Sequence, residues 1–361
     1  MATAGAERTG TARWRWGAAG LLFLALVGTA LWTWWAESHP RQERTLRVLV
    51  HEQLRKWFPE EMAPADGWHG LYARAGTTSG EAVSVLLVHG LDEPGSIWDD
   101  LVPALQAAGH VVWELRYPND QGIDRSAEFL AAHWSDLPPD RPVAIVGHSM
   151  GGLVARDFVS RLWRRGVPGP PVAGVVLVGT PNQGSEWARL RVGLELRDHF
   201  PTGEGRRFSL FAALRDGAGE AKIDLRPDSD FLRALNARPW PDGVPIVAIA
   251  GRLVAPPGDL AAGFATVAAE TGSATLGREL AAWWSGVGQD LGDGVVSLTS
   301  AGLPGGPPPL VVQASHRGML ARLLPGDPEP PAIALILALL SDWESGGRAA
   351  ETGVAGELHR D

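Results

Sequence analysis

The chain has 361 residues, of which 45% are hydrophobic and 20% charged, a balance typical of a globular protein with a substantial core. The formal net charge of −9 provides no basic footprint for nucleic acid, and the absence of cysteine excludes disulfides, thiol nucleophiles and cysteine-ligated metals. No phosphate-binding loop, HExxH zinc motif or dinucleotide fingerprint is found, so the sequence predicts no cofactor and no metal.

The amino terminus has the pattern of a membrane anchor. A short basic tail over residues 1–15 precedes residues 16–36, which carry no charge and are rich in tryptophan at their end. A helix of that length spans about 31 Å, enough to cross a bilayer core, and tryptophan suits the membrane interface. The sequence therefore predicts a single-pass transmembrane signal anchor in a bacterial inner membrane, with the following domain in the periplasm. A cleaved signal peptide is the alternative, because Gly28 and Ala30 offer a small-residue cleavage site.

The next segment, residues 37–66, is a charged linker with apolar residues at near-helical spacing. It is expected to contain an amphipathic helix that packs on the domain or lies on the membrane. The apolar residues are Leu46, Leu49, Val50, Leu54, Trp57 and Phe58.

Residues 67–346 alternate between buried-strand and helix patterns, which predicts an α/β domain with a mostly parallel, doubly wound sheet. A disordered tail is expected over residues 347–361. Strands are predicted at 83–88, 111–115, 143–146, 172–178, 244–250 and 309–313, and helices at 97–108, 124–134, 152–165 and 332–343.

Two long inserts interrupt this alternation. Residues 183–243 separate two strands by far more than one crossover needs, and residues 251–292 are rich in glycine and alanine. Long inserts in compact domains are usually functional or disordered. The first is interpreted as a lid or cap, and the second as an excursion near the mouth of the site.

The stretch Gly147-His148-Ser149-Met150-Gly151 is the strongest chemical signal. It lies between a predicted strand and a predicted helix, the context in which G-x-S-x-G forms a nucleophile elbow. Gly147 and Gly151 leave room for strand and helix to approach, and the Met150 amide at the helix start can donate to an oxyanion.

A serine nucleophile needs a base, and the elbow predicts the chain order serine, acid, histidine. His316 follows the last predicted strand, at a sheet edge where sites on such folds gather. The other downstream histidines are less suitable: His199 lies in the lid and His359 in the tail.

Asp293, between Gly292 and Gly294, is the preferred acid because it precedes His316 and follows a strand. The alternative interpretation is an ordinary Asp-Gly turn. Asp290 and Asp259 are the fallback acids, and Asp230 is weaker because it falls inside the lid.

The second oxyanion donor is expected in the loop after the first strong strand, which reads His89-Gly90-Leu91. Gly90 permits a sharp turn, so the Leu91 amide is the predicted donor beside that of Met150. His89 and His148 are interpreted as structural.

Four motifs together resemble the lipase/esterase branch of the α/β-hydrolase superfamily, which includes bacterial triacylglycerol lipases and membrane-associated esterases. The motifs are Leu87-Val88-His89-Gly90-Leu91, Gly147-His148-Ser149-Met150-Gly151-Gly152, Gly179-Thr180-Pro181-Asn182-Gln183-Gly184-Ser185 and Asp293-Gly294-Val295-Val296-Ser297. The resemblance implies an α/β-hydrolase fold, Ser149 as nucleophile, Asp293 as acid, His316 as base, and an oxyanion hole from the Leu91 and Met150 amides.

The chain departs from its relatives at Asn182, where many have histidine, and residues 186–290 match only weakly. The resulting prediction is a membrane-anchored serine hydrolase that cleaves carboxylic esters of small-molecule or lipid type. An acyltransferase using the same triad and a non-catalytic, membrane-tethered binding protein are the alternatives. The sequence does not fix acyl preference or oligomeric state.

Overall fold

The computed structural model describes most of the chain outside the amino terminus and two internal segments. The described residues are 20, 23–24, 27–60, 62, 69–75, 82–91, 93, 95–185, 219–253, 275, 279, 291–324 and 326–357. The chain divides into two compact units, Met1–Leu54 and Arg55–Asp361. Much of the predicted lid and nearly all of the second excursion lie outside the described residues.

The first unit is helical where it is described. Residues 27–38 are helical, and helix α1 (Pro40–Trp57) follows. Proline at the first position, Glu43 in the first turn and basic residues in the last turn all favour α1. The helix expected in the linker is therefore present.

The predicted transmembrane anchor over residues 16–36 is wrong. Within the described part of the chain, no helix combines the length and the apolar character that a membrane crossing requires. The described end of that segment contains Gly28, Thr29 and Thr33 among its tryptophans and runs towards the strongly charged α1. Residues 16–19, 21–22 and 25–26 lie outside the described residues. The predicted inner-membrane location depended on this anchor and is corrected with it.

The second unit is built on one seven-stranded sheet of order β1-β3-β2-β4-β5-β6-β7. Only β1, at the edge, runs antiparallel to its neighbour, β3. The strands are β1 (Gly70–Ala73), β2 (Ser84–Val88), β3 (Val112–Arg116), β4 (Val143–His148), β5 (Val172–Val178), β6 (Ile246–Arg252) and β7 (Leu310–Gln313). The mostly parallel sheet expected from the strand and helix alternation is thus observed.

Helices cover both faces of the sheet. They are α2 (Leu101–Ala107), α3 (Ile123–His133), α4 (Met150–Asp157), α5 (Glu220–Asp224), α6 (Asp230–Asn236), α7 (Leu298–Ala301) and α8 (Pro331–Glu357), with a π-turn at Phe158–Leu162 and 3-10 turns at Gly95–Trp98, Trp134–Asp136 and Trp163–Arg165. One core layer joins the sheet to α3 and α4, and the other joins it to α2 and α8.

The alternation of side chains along β4 shows why the strand is continuously apolar. Val143 and Ile145 enter the layer with α3 and α4, whereas Ala144 and Val146 enter the layer with α2 and α8. Because neighbouring side chains point to opposite faces, a strand covered on both sides must be apolar throughout.

Several elements differ from the sequence prediction. Helices α5, α6 and α7 are not predicted, α2 begins at Leu101 after a 3-10 turn, and α4 ends at Asp157, where a π-turn begins. Strand β1 is not predicted, because four residues at a sheet edge carry too short a pattern. Helix α8 extends to Glu357, past the predicted helix end at 343 and into the segment expected to be a disordered tail, although residues 344–357 include four glycines, which disfavour a helix.

Candidate active site

Ser149 occupies the sharp turn between β4 and α4. Its φ is +53° and its ψ is −128°. A positive φ is strained for a residue with a side chain, and such strain clusters at functional sites. The turn leaves Ser149 partly exposed at the carboxyl end of the sheet, as the nucleophile-elbow interpretation expects.

The glycines of the elbow are required by close backbone contacts. A Cβ on Gly151 would lie 2.0 Å from the Val88 carbonyl oxygen, and one on Gly147 would lie 2.5 Å from the Cα of Gly152. Both distances are far inside van der Waals contact. The spacing of the motif therefore follows from packing α4 directly against β2 and β4.

Gly151→Ala is expected to destabilise the protein by about 3 kcal/mol, the upper end for overpacking, because the new methyl group meets backbone atoms of β2 that cannot move aside. Urea unfolding measures the effect. Gly28→Ala is the matched control, since its Cβ meets nothing within 4 Å. Equal stability of the two variants would contradict the tight packing described for the elbow.

Asp293 and His316 form a direct pair. His316 Nδ1 donates to Asp293 Oδ2 at 2.7 Å, and the His316 amide donates to the Asp293 carbonyl at 2.9 Å. The other carboxylate oxygen of Asp293 accepts the amides of Val295 and Val296, each at 2.8 Å. Because Asp293 is 2% exposed and its carboxylate is held by three donors, it fixes the orientation and tautomer of the imidazole.

Glycines at the ends of β5 and β6 make room for this pair. A Cβ on Gly179 would lie 3.1 Å from both Asp293 Oδ2 and His316 Nδ1, and one on Gly251 would lie 2.7 Å from the Asp293 Cβ. Two neighbouring strands thus end in residues without side chains where the carboxylate and the imidazole sit.

The predicted oxyanion loop runs alongside Ser149. A Cβ on Gly90 would lie 2.8 Å from the Ser149 Cβ, and Leu91 is buried. Two hydrogen bonds hold this loop in place. The Tyr117 hydroxyl donates to the His89 carbonyl at 2.6 Å, and His89 Nδ1 donates to the Gly90 carbonyl at 2.8 Å. Burial, reinforced by Glu93, raises the pKa of Tyr117 well above its ordinary value, so its hydroxyl remains a donor.

His148, which precedes Ser149 in the chain, contacts His316. The centroids of the His148 and His316 rings lie 4.7 Å apart. The hydrogen bonds of the described residues include none between Ser149 Oγ and His316. In hydrolases without substrate this bond is often long and tightens only in the substrate complex.

A second pair of a histidine and a carboxylate, His148 and Glu93, contacts the pair of Asp293 and His316. His148 is fully buried, with Nδ1 donating to the Glu93 carboxylate and Nε2 donating to the His316 carbonyl at 3.1 Å. Since both ring nitrogens face acceptors, His148 is a cation. Burial lowers the pKa of His148, but the charge and hydrogen bond of Glu93 outweigh it and raise the pKa above its ordinary 6.5.

Glu93 is correspondingly an anion. Burial alone would raise the pKa of its carboxyl, but the charge and hydrogen bond of His148, followed by His316 and Arg317, lower it to about 2. The sequence predicts only a structural role for His148 and does not single out Glu93. The one available signal is a glutamate three residues after Gly90, in the loop assigned to the oxyanion hole.

Of the fallback acids, only Asp230 lies among the described residues, and it does not join this cluster. Asp230 lies on α6 and pairs with Arg233 on the surface. Four other candidates lie outside the described residues: Asp259, Asp290, His199 and His359. No group of side chains suited to a metal ion occurs among the residues that are described.

Asn182, where many relatives carry histidine, is a buried structural residue. Its amide group donates to the Ala301 carbonyl at 2.7 Å, and its oxygen accepts from Arg156 at 3.0 Å. These bonds tie the loop after β5 to α4 and α7. The departure from the pattern of the relatives thus lies at a buried residue that connects the loop after β5 to two helices.

The comparisons with known proteins bear on the fold of the chain. A family model described as a thioesterase domain matches residues 95–244, less than half of the chain, which include the elbow but neither Asp293 nor His316. Among the curated proteins, no match is found. A metagenomic carboxyl esterase is similar in structure, with a TM-score of 0.50 and 18% identity over 82% of this chain and 90% of that one. The chain has the α/β-hydrolase fold.

Two further structures with this hydrolase fold are similar at lower TM-scores. A mature lipase from Bacillus licheniformis has 16% identity and a TM-score of 0.48, covering 75% of this chain and 97% of that one. A type II thioesterase from the yersiniabactin biosynthetic pathway has 16% identity and a TM-score of 0.47, covering 76% and 98%. The resemblance inferred from the motifs is confirmed for the hydrolase fold. The roles of Ser149, Asp293, His316, Leu91 and Met150 stay predictions.

Proposed function

We propose that the chain is a serine hydrolase that cleaves carboxylic esters or thioesters through an acyl-enzyme on Ser149. The observation that carries the proposal is the 2.7 Å bond between His316 and a buried Asp293, next to a serine held at a strained turn. Strain, a base and an acid that orients the base are the components of an activated serine.

The geometry suits a two-step reaction. His316 Nε2 takes the Ser149 hydroxyl proton as Oγ attacks the acyl carbon, and the Leu91 and Met150 amides stabilise the oxyanion. The protonated His316 then returns its proton to the departing alcohol or thiol, and the acyl group stays on Ser149. Water, deprotonated by His316, releases the acid and restores the free serine. Asp293 keeps the Nδ1 proton of His316 in place throughout and stabilises the imidazolium.

The substrate class rests on two comparisons. The similar metagenomic protein is a carboxyl esterase, and the matching family model is a thioesterase domain. Oxygen and sulfur esters use the same serine, base and oxyanion hole, so both bond types belong to the proposal. The thioester is the second candidate specifically because of the family model.

Hydrolysis by the full chain tests the proposal. We expect turnover of p-nitrophenyl esters or of acyl thioesters, followed as release of p-nitrophenol or of free thiol across short and long acyl chains. Product analysis with an added alcohol separates hydrolysis from acyl transfer, because an acyltransferase would form the new ester in preference to the free acid. Folded protein that turns over none of these substrates would contradict the proposal and favour a binding protein with a hydrolase fold.

A further inference from the structure

Glu93 contacts each of the three loops that converge on the candidate site. One carboxylate oxygen accepts both the Gly90 amide, at 3.3 Å, and His148 Nδ1 of the elbow. The other oxygen faces Arg317 Nη1, at 3.4 Å, in the loop that carries His316. A single side chain, 7% exposed, thus contacts the oxyanion loop, the elbow and the base loop.

His148 extends this connection to the base itself. Its Nε2 donates to the His316 carbonyl, so the backbone of the base is attached to the elbow through a charged imidazole. His316 is also held by Asp293 through its side chain and its amide. Asp293 thus orients the His316 ring, and His148 holds the backbone of His316 relative to Ser149.

We propose that Glu93 is a positioning residue that sets the distance between the nucleophile, the base and the oxyanion donors by joining Gly90, His148 and Arg317 at one carboxylate. This inference rests on the proposed hydrolase function. The hydrogen bonds of Glu93 go to Gly90, His148 and Arg317 and to none of the groups assigned to the reaction, so we assign its main effect to their geometry. Small misplacements of reacting groups lower rates strongly, because the productive arrangement must be formed before bonds change.

The positioning role requires the negative charge of Glu93. A buried cation without its partner is unfavourable, so removal of the carboxylate favours the neutral form of His148. A neutral imidazole has one N–H, which cannot serve Glu93 and His316 together. The simultaneous donation to residue 93 and to the His316 carbonyl therefore depends on the negative charge as well as on the shape of residue 93.

The test compares Glu93→Gln and Glu93→Asp with wild type in the full chain. Glu93→Gln keeps the shape and removes the charge, whereas Glu93→Asp keeps the charge on a shorter side chain. Asp157→Asn is the matched control, because Asp157 is also a fully buried carboxylate, paired with Arg161 and Arg238 near the end of α4 away from the elbow. kcat and KM for a p-nitrophenyl ester, urea unfolding, and the imidazole N–H resonances of His148 are measured for each protein.

We expect Glu93→Gln to lower kcat roughly a hundredfold, as for misplaced reacting groups, with KM changed less than about twofold and one His148 N–H resonance lost. Glu93→Asp should recover part of kcat. Asp157→Asn should lose comparable stability with kcat unchanged. Wild-type kcat in a folded Glu93→Gln variant, or an equal loss of kcat in Asp157→Asn, would overturn the positioning role. Failure of wild type itself to turn over any ester would instead contradict the proposed function, which separates the two results.

Discussion

Replacing Ser149 by alanine is expected to abolish ester hydrolysis and leave the fold intact. The hydroxyl is the only protein nucleophile that the proposed mechanism uses, and its loss leaves only binding and the oxyanion hole. We expect kcat to fall by about six orders of magnitude, the size found when a serine nucleophile is removed from a triad. The backbone conformation at φ +53° is equally strained for serine and alanine, so stability should be unchanged. Steady-state kinetics and urea unfolding measure the two effects.

Ser160→Ala is the matched control for this experiment. Ser160 is buried in the turn that continues α4, and its hydroxyl donates to the Arg156 carbonyl at 2.7 Å. Its removal should leave kcat within about twofold of wild type, as for a residue with no role in the chemistry. Undiminished hydrolysis in a Ser149→Ala variant would refute the assignment of the nucleophile.

The second large effect is expected from Asp293→Asn. The substituted side chain would keep its oxygen on the Val295 and Val296 amides, because that oxygen of Asp293 already accepts both. Its new NH2 group would then face His316 Nδ1 in place of a carboxylate oxygen. The imidazole would have to accept at Nδ1 and carry its proton on Nε2, the wrong tautomer for a base towards Ser149. We expect steady-state kinetics to show kcat lowered by about ten-thousandfold with KM nearly unchanged.

Asp230→Asn provides the comparison, since Asp230 is a weaker candidate for the acid and lies on the surface beside Arg233. It should retain wild-type kcat. If Asp293→Asn kept full activity and Asp230→Asn lost it, the order of the triad along the chain would have to be reassigned.

The parts of the fold that the sequence predicts are those with local requirements. The elbow can be predicted from the sequence because Gly147 and Gly151 must flank Ser149 within five residues. A Cβ added at Gly151 would lie only 2.0 Å from a backbone oxygen. The strands can be predicted from the sequence because burial on both faces makes them continuously apolar. Strand β1 is not predicted from the sequence, because its four residues form a strand through pairing with β3 and not through a local pattern.

The sequence predicts the pair of Asp293 and His316 only through chain order, whereas the structure adds the contact itself. Glu93 could not be found in this way. Its partner His148 is distant in sequence, and the pairing depends on how the loop after β2 folds over β4. The predicted membrane anchor relied on length, on the absence of charge and on the terminal tryptophans. It did not count against the anchor the polar residues between those tryptophans or the charge of the helix that follows.

Reaction of the full chain with a fluorophosphonate, followed by mass-spectrometric mapping of the modified peptide, tests the central claim most directly. Such a probe reacts with a serine only when a base and an oxyanion hole activate it. We predict one adduct, on Ser149, absent from Ser149→Ala and formed much more slowly in Asp293→Asn. Folded wild-type protein that acquires no adduct on Ser149 would contradict the assignment of an activated serine.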